Sequence, residues 1–185
     1  MTGKNIKAGS LLLAEPFLAD PNFKRTVVLV CEHNEDGSIG FVLSKRSPLL
    51  LDQAMDDIEH FKAPLYLGGP VQTDTLHYIH RLGNRLEGCV ELAPGLYWGG
   101  NFEALKIMMN TNQVDPDDIR FFLGYSGWAP DQLESEMKED AWIEHQVKAE
   151  HIFDTPPDDL WKAILREKGG DYAMMVNFPE DPALN

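Results

Sequence analysis

The chain has 185 residues, 30 acidic and 16 basic, for a formal net charge of −14. That balance opposes nucleic-acid phosphates and anionic membrane surfaces, which are held by lysine and arginine, and the basic groupings Lys24-Arg25, Lys45-Arg46 and Lys162, Arg166, Lys168 form no compensating patch. The length suits one domain with a proper core, and 43% hydrophobic residues with 10% aromatics exclude wholesale disorder.

Lys4 and Lys7 precede the apolar run Leu11 to Ala14, but Glu15-Pro16 ends it well short of the roughly 7 to 15 residues of a secretory core. No run approaches the roughly 18 residues that cross a bilayer. A soluble cytoplasmic protein is expected, with Cys31 and Cys89 as thiols inside apolar runs, outside any disulfide framework.

Gly9 to Ala14 reads as a short strand. Thr26 to Cys31 and Ile39 to Leu43, flanking Asn34-Glu35-Asp36-Gly37, predict a β-hairpin, since Asp-Gly favours a tight turn. A helix is expected from about Leu50 to Phe61, with Leu51, Ala54, Met55, Ile58 and Phe61 on one face. Leu65 to Leu67 is a strand closed by Gly68-Gly69-Pro70, and Thr75 to His80, Cys89 to Leu92 and Leu96 to Trp98 read as further strands. Asn101 caps a helix holding Phe102, Leu105, Met108 and Met109. Ile119 to Leu123 is a strand, Pro130 opens an acidic helix to about Glu139, and Trp142 to Val147 is a strand. A last helix begins near Pro156 and stops at Gly169-Gly170, and the tail from about Glu180 is expected to fray. Grouped strands and inserted helices, with no linker and no repeat, predict a single α+β domain spanning the chain.

The segment Gly124-Tyr125-Ser126-Gly127-Trp128 is close to a nucleophile elbow, but the pattern needs glycine where Trp128 stands and a helix directly behind the serine. His145 and His151, with Asp131, Asp140 or Asp154, could partner Ser126, yet no spacing selects among them. A structural turn is the simpler reading. Cys31 and His33 would share a strand face as metal ligands, whereas His77 and His80 would face opposite sides; no established metal motif is present, and neither metal nor cofactor is expected. Gly68-Gly69-Pro70 and Gly99-Gly100-Asn101 read as turns and caps, because Glu103 in the first turn of the following helix would repel a phosphate. The acidic run from Asp131 to Asp140 reads as a solvated helix face.

Three blocks carry a resemblance. They are Gly9 to Ala14 through Asp20-Pro21-Asn22-Phe23-Lys24-Arg25-Thr26 to Cys31-Glu32-His33-Asn34 and Gly37-Ser38-Ile39-Gly40; Leu67-Gly68-Gly69-Pro70-Val71; and Gly95 to Glu103 joined to Arg120 through Trp128 and Gln132-Leu133. In this order they span nearly the whole chain, which resembles the AlgH/YqgE family of small bacterial proteins. The resemblance implies an α+β domain with a bifurcated, partly barrel-like sheet surrounded by helices, and no established enzyme activity. Members are often labelled transcriptional regulators, although no helix-turn-helix is visible here and the charge opposes DNA. The chain departs from the family at Ser44-Lys45-Arg46-Ser47-Pro48, where asparagine followed by proline is common, and at Asp131, where glycine commonly precedes the glutamine. The family also accepts alanine at the position of Ser126.

The expectation is a non-enzymatic cytoplasmic binding or regulatory protein, acting through a protein or small-molecule partner. Its site would be a cleft lined by Glu32, His33, Asn34, Tyr97, Trp98, Asn101, Tyr125 and Trp128, since aromatics beside polar groups and glycine turns suit small ligands and peptides. The same residues could instead only pack and cap the fold. Direct DNA binding and a hydrolase using Ser126 are the alternatives.

Overall fold

One long strand organises the molecule. In the computed structural model, which describes residues 5–181 and 183, Ile119–Trp128 is shared between two halves of a mixed sheet. The strands in chain order are β1 (Ser10–Ala14), β2 (Val27–Asn34), β3 (Gly37–Val42), β4 (Arg46–Leu50), β5 (Pro64–Leu67), β6 (Val71–His80), β7 (Val90–Ala93), β8 (Leu96–Trp98), β9 (Ile119–Trp128) and β10 (Trp142–Gln146). The main path runs β10-β1-β2-β3-β9-β6-β8-β7, with β5 bridging β4 and β9. The first half of β9 pairs in parallel with β5 through Phe121–Leu123 and antiparallel with β6, while Ser126–Trp128 pairs with β3. The fork lies at Gly124, whose φ is +68°, and a Cβ there would stand 2.8 Å from the Gly69 carbonyl oxygen. Only glycine fits that conformation and approach. The sheet is thus a curled half-barrel in a single α+β domain, as the resemblance implies.

The helices are α1 (Leu51–Ala54), α2 (Phe102–Asn110), α3 (Gln132–Lys138), α4 (Ala149–Phe153), α5 (Leu160–Lys168) and α6 (Gly170–Met175). All of β1 is buried because both its faces are covered. Leu11 and Leu13 join Leu29, Phe41 and the α5 residues Trp161, Ile164 and Leu165, while Leu12 joins Val28, Val30 and the α3 residues Leu133 and Met137. A third cluster packs Leu105 and Met109 of α2 on Leu65, Tyr78 and Phe121. Trp161 Nε1 donates to the Ala14 carbonyl at 2.9 Å, fixing α5 to β1. Among the described residues no helix is long and apolar enough to cross a membrane.

Three local expectations are corrected. The expected helix from Leu50 to Phe61 is only α1, and Met55 is already extended at φ −133° and ψ 117°. A longer helix would stack Asp52 on Asp56 at like-charge spacing. The segment instead bonds to α2: Lys106 Nζ lies 2.6 Å from Asp57 Oδ2, and Asn110 Nδ2 donates to the Asp57 carbonyl at 3.0 Å. Leu51, Ile58 and Phe61 are still buried. Pro48 stands in strand β4, whose pairing with β5 breaks between Arg46 and Leu50, where proline cannot donate. Gly169 ends α5, but Gly170 begins α6 instead of ending the helical region, and α4 is a further helix not expected from the pattern. The segment around Ser126 is not a turn but the second half of β9. Of the tail expected to fray, residues 182, 184 and 185 lie outside the described residues.

Candidate functional site

The β2–β3 hairpin and the end of β9 enclose a cleft of about 370 Å³. Strand alternation builds it: Glu32 and Asn34 on β2 share a face with Tyr125 and Gly127 on β9, and Asp36, Ile39, Val71 and Trp128 complete the wall. Asn34 holds the rim in shape, because its Nδ2 donates to Glu32 Oε1 at 2.8 Å and its Oδ1 accepts the Asp36 amide at 2.8 Å. Among the described residues neither Glu32 nor Asp36 has an ion-pair partner. Tyr125 packs edge-on against His77, His77 against Phe41, and Phe41 against Trp98, at ring separations of 5.8, 5.1 and 6.2 Å. Burial lowers the His77 pKa, so its ring is neutral at neutral pH.

Four of the eight sequence-predicted residues, Glu32, Asn34, Tyr125 and Trp128, therefore meet at one cleft. The other four stand elsewhere. Tyr97 stacks on His80 at 6.0 Å, Trp98 reaches the cleft only through Phe41 and His77, and Asn101 caps α2 by accepting the Ala104 amide at 3.0 Å. His33 turns toward α3, because it stands between Glu32 and Asn34 on β2 and so faces the opposite side of the strand. An irregularity in the β2–β3 register between Val30 and Glu32 puts Cys31, packed with Leu29 and Phe41, on a different face from His33, contrary to the sequence expectation. Asp36, Ile39 and Val71 are additional wall residues; the turn register would have placed Asp36, whereas Val71 comes from a distant strand.

His33 Nδ1 lies 2.7 Å from Ser38 Oγ, and its Nε2 lies 3.3 Å from Glu134 Oε1. The connectivity is that of a nucleophile, base and acid, but it follows from cross-strand pairing of His33 with Ser38. Ser38 is 5% exposed, at the inner margin of the cleft, with its Oγ engaged by His33. Ser126 is equally withdrawn: it is 0% exposed, and its Oγ donates to the Gly68 carbonyl at 3.1 Å. The Gly68-Gly69 pair is likewise a close-packing device, since a Cβ on Gly69 would stand 2.3 Å from the Tyr125 carbonyl.

Behind the cleft, Trp128 Nε1 and Trp142 Nε1 both donate to Glu136 Oε2, at 3.0 and 2.8 Å, and Gln132 Nε2 donates to Glu136 Oε1 at 3.0 Å. The acidic helix α3 is thus partly a fastener as well as a solvated face. A larger cavity of about 580 Å³ lies between Phe17, Trp142, Tyr172 and Phe178 and contains none of the sequence-predicted residues. Lys168 fills part of its polar lining, donating to the Glu144 carbonyl at 2.9 Å and lying 4.9 Å from the centre of the Tyr172 ring. The one grouping of metal-ligating side chains among the described residues is His145, His151 and Glu167. Lys148 and His151 hold the Glu167 carboxyl down to a pKa of about 2.

A family model described as AlgH-like matches residues 11–173. UPF0301 protein CT0663 of Chlorobaculum tepidum is 45% identical over 180 residues, covering 97% of this chain and 96% of its own. A UPF0301 protein of Cytophaga hutchinsonii is 42% identical over 178 residues, covering 96% and 98%. The solution structure of the AlgH protein from Pseudomonas aeruginosa matches with a TM-score of 0.74 at 29% identity, over 93% of this chain and 94% of that one. The crystal structure of protein DIP2367 from Corynebacterium diphtheriae matches with a TM-score of 0.79 at 21% identity, over 96% and 95%, a likeness of fold alone.

Proposed function

From the premise that the chain belongs to the AlgH-like family, we propose that it is a non-enzymatic cytoplasmic binding protein whose regulatory role runs through a cationic ligand, free or carried on a basic segment of a partner protein. The observation that carries this reading is the cleft itself, where Glu32 and Asp36, two carboxylates without ion partners among the described residues, stand beside Tyr125. An ammonium or guanidinium group gains there from carboxylate and aromatic neighbours together. The net charge of −14 draws such a partner in and opposes DNA, so a regulatory role runs through proteins or small molecules. Ser126 and Ser38 support no hydrolase reading, because both hydroxyls are buried and engaged within the fold.

An array of short peptides, half rich in lysine and arginine and half matched in length but acidic or neutral, tests the reading. Basic peptides should be retained and released by added salt. Equal retention of all three classes, or of none, would contradict it.

A further inference from the structure

His145, His151 and Glu167 come from three different elements, β10, α4 and α5, and fold onto one spot beneath the sheet edge. Their ligand-type atoms all lie within 4.8 Å of one another. His151 Nε2 is 2.7 Å from Glu167 Oε2, and His145 Nε2 is 3.5 Å from Glu167 Oε1. Around a tetrahedral ion with bonds of roughly 2.0 to 2.2 Å, ligand atoms stand about 3.3 Å apart, so small rotations bring the three atoms into place. A second observation points the same way. His145 Nε2 is buried and has no hydrogen-bond partner among the described residues, and a buried polar atom without a partner calls for one.

We infer that His145, His151 and Glu167 form a site for a divalent transition-metal ion of the zinc class, with two imidazole nitrogens, one carboxylate oxygen and a position left for water. Two imidazoles and a carboxylate favour such an ion over magnesium or calcium. Two groups now stand in its place. Lys148 Nζ lies 2.6 Å from Glu167 Oε1, but its side chain is 61% exposed and can swing into water. The His151 Nδ1 accepts the Lys148 amide at 3.0 Å, so the ring proton sits on Nε2 and faces Glu167. As the ion takes Nε2, that proton moves to Nδ1, the Lys148 amide turns to water, and no net proton leaves the ring. Lys168 stays engaged with the carbonyl of Glu144, which precedes His145 on β10.

The test is calorimetric titration of zinc chloride into the full chain after dialysis against a chelator, with His145 ring-nitrogen and Lys148 amide resonances followed by NMR. One zinc per chain is expected, with both resonances shifting together. His145→Ala and Glu167→Gln should each weaken binding by roughly tenfold or more, and Lys148→Ala should strengthen it by removing the competing cation. Far-ultraviolet circular dichroism confirms that each variant is folded. Absence of stoichiometric binding by the wild-type chain would overturn the site. So would binding unchanged in both ligand variants, which would place the zinc on the acidic surface.

Discussion

Trp128 and Trp142 share a single acceptor: the indole N–H of each points at Glu136 Oε2, and their rings meet edge-on at 6.2 Å. The arrangement joins the end of β9 to the start of β10 through one side chain of α3. It also holds the Trp128 ring on the α3 side of the sheet, in the cluster with Leu133 and Met137.

Glu136→Ala removes that acceptor and strands two largely buried donors. Losing charge-assisted bonds at such a site costs about 2 kcal/mol or more. Urea unfolding should show a lower midpoint with an unchanged slope, and tryptophan fluorescence should shift to the red. A midpoint within error of the wild type would mean the clamp contributes nothing.

Asp131 adopts φ 62° and ψ −2°, the left-handed region, at the position where the family commonly has glycine. Asp131→Gly relieves strain of about 1 kcal/mol, offset in part by the greater freedom of glycine in the unfolded chain. The variant is expected to be at least as stable as the wild type in thermal melts.

Ser126→Ala should lower stability by only about 1 kcal/mol, since it removes one hydroxyl bond to the Gly68 carbonyl from a site that alanine otherwise fits. Peptide retention should not change. A complete loss of binding or of folding would show that Ser126 does more than bond to Gly68.

Buried His80 links stability to pH. Its Nε2–H donates to the Gly99 carbonyl at 2.8 Å, while its Nδ1 accepts the Leu82 amide at 3.2 Å, a pair of bonds that only the neutral ring makes. Burial depresses the pKa below its usual 6.5, and the Gly99 carbonyl opposes part of that shift. A histidine with a depressed folded pKa contributes stability that is complete above pH 6.5 and is lost as pH falls through the folded value. Melting temperature should therefore fall on acidification below that point. His80→Gln, which keeps a donor toward Gly99 but does not titrate, should flatten the dependence.

Much of this architecture can be read in the residues because it rests on local pattern. The hairpin turn at Asn34 to Gly37, the Asn101 cap and the strands β5, β7 and β8 all carry their signals within a few positions. The failures are equally physical. Apolar spacing from Leu51 to Phe61 imitates a helix, but burial of Ile58 and Phe61 is achieved in irregular chain fastened to Asn110 and Lys106. Ser126 looks like the tip of a turn until Gly124 is seen as the fork of the sheet, a tertiary fact. Half of the expected site residues converge because strand alternation is regular there. His33 does not join them, because it lies between Glu32 and Asn34 on β2 and the same alternation turns it to the other face. His145, His151 and Glu167 are spread over three elements, and no spacing rule connects them.

The central claim is that the cleft beside Glu32 and Asp36 binds cations. Its most direct measurement is the affinity of a fluorescent lysine- and arginine-rich peptide for three proteins at low salt: the wild type, Glu32→Lys with Asp36→Lys, and Asp158→Lys with Asp159→Lys, which makes the same charge change at an exposed turn away from the cleft. Saturable binding by the wild type, retained in the turn variant and weakened roughly tenfold or more in the cleft variant, is the expected result. Equal weakening in both variants would reduce the effect to net charge and contradict the account.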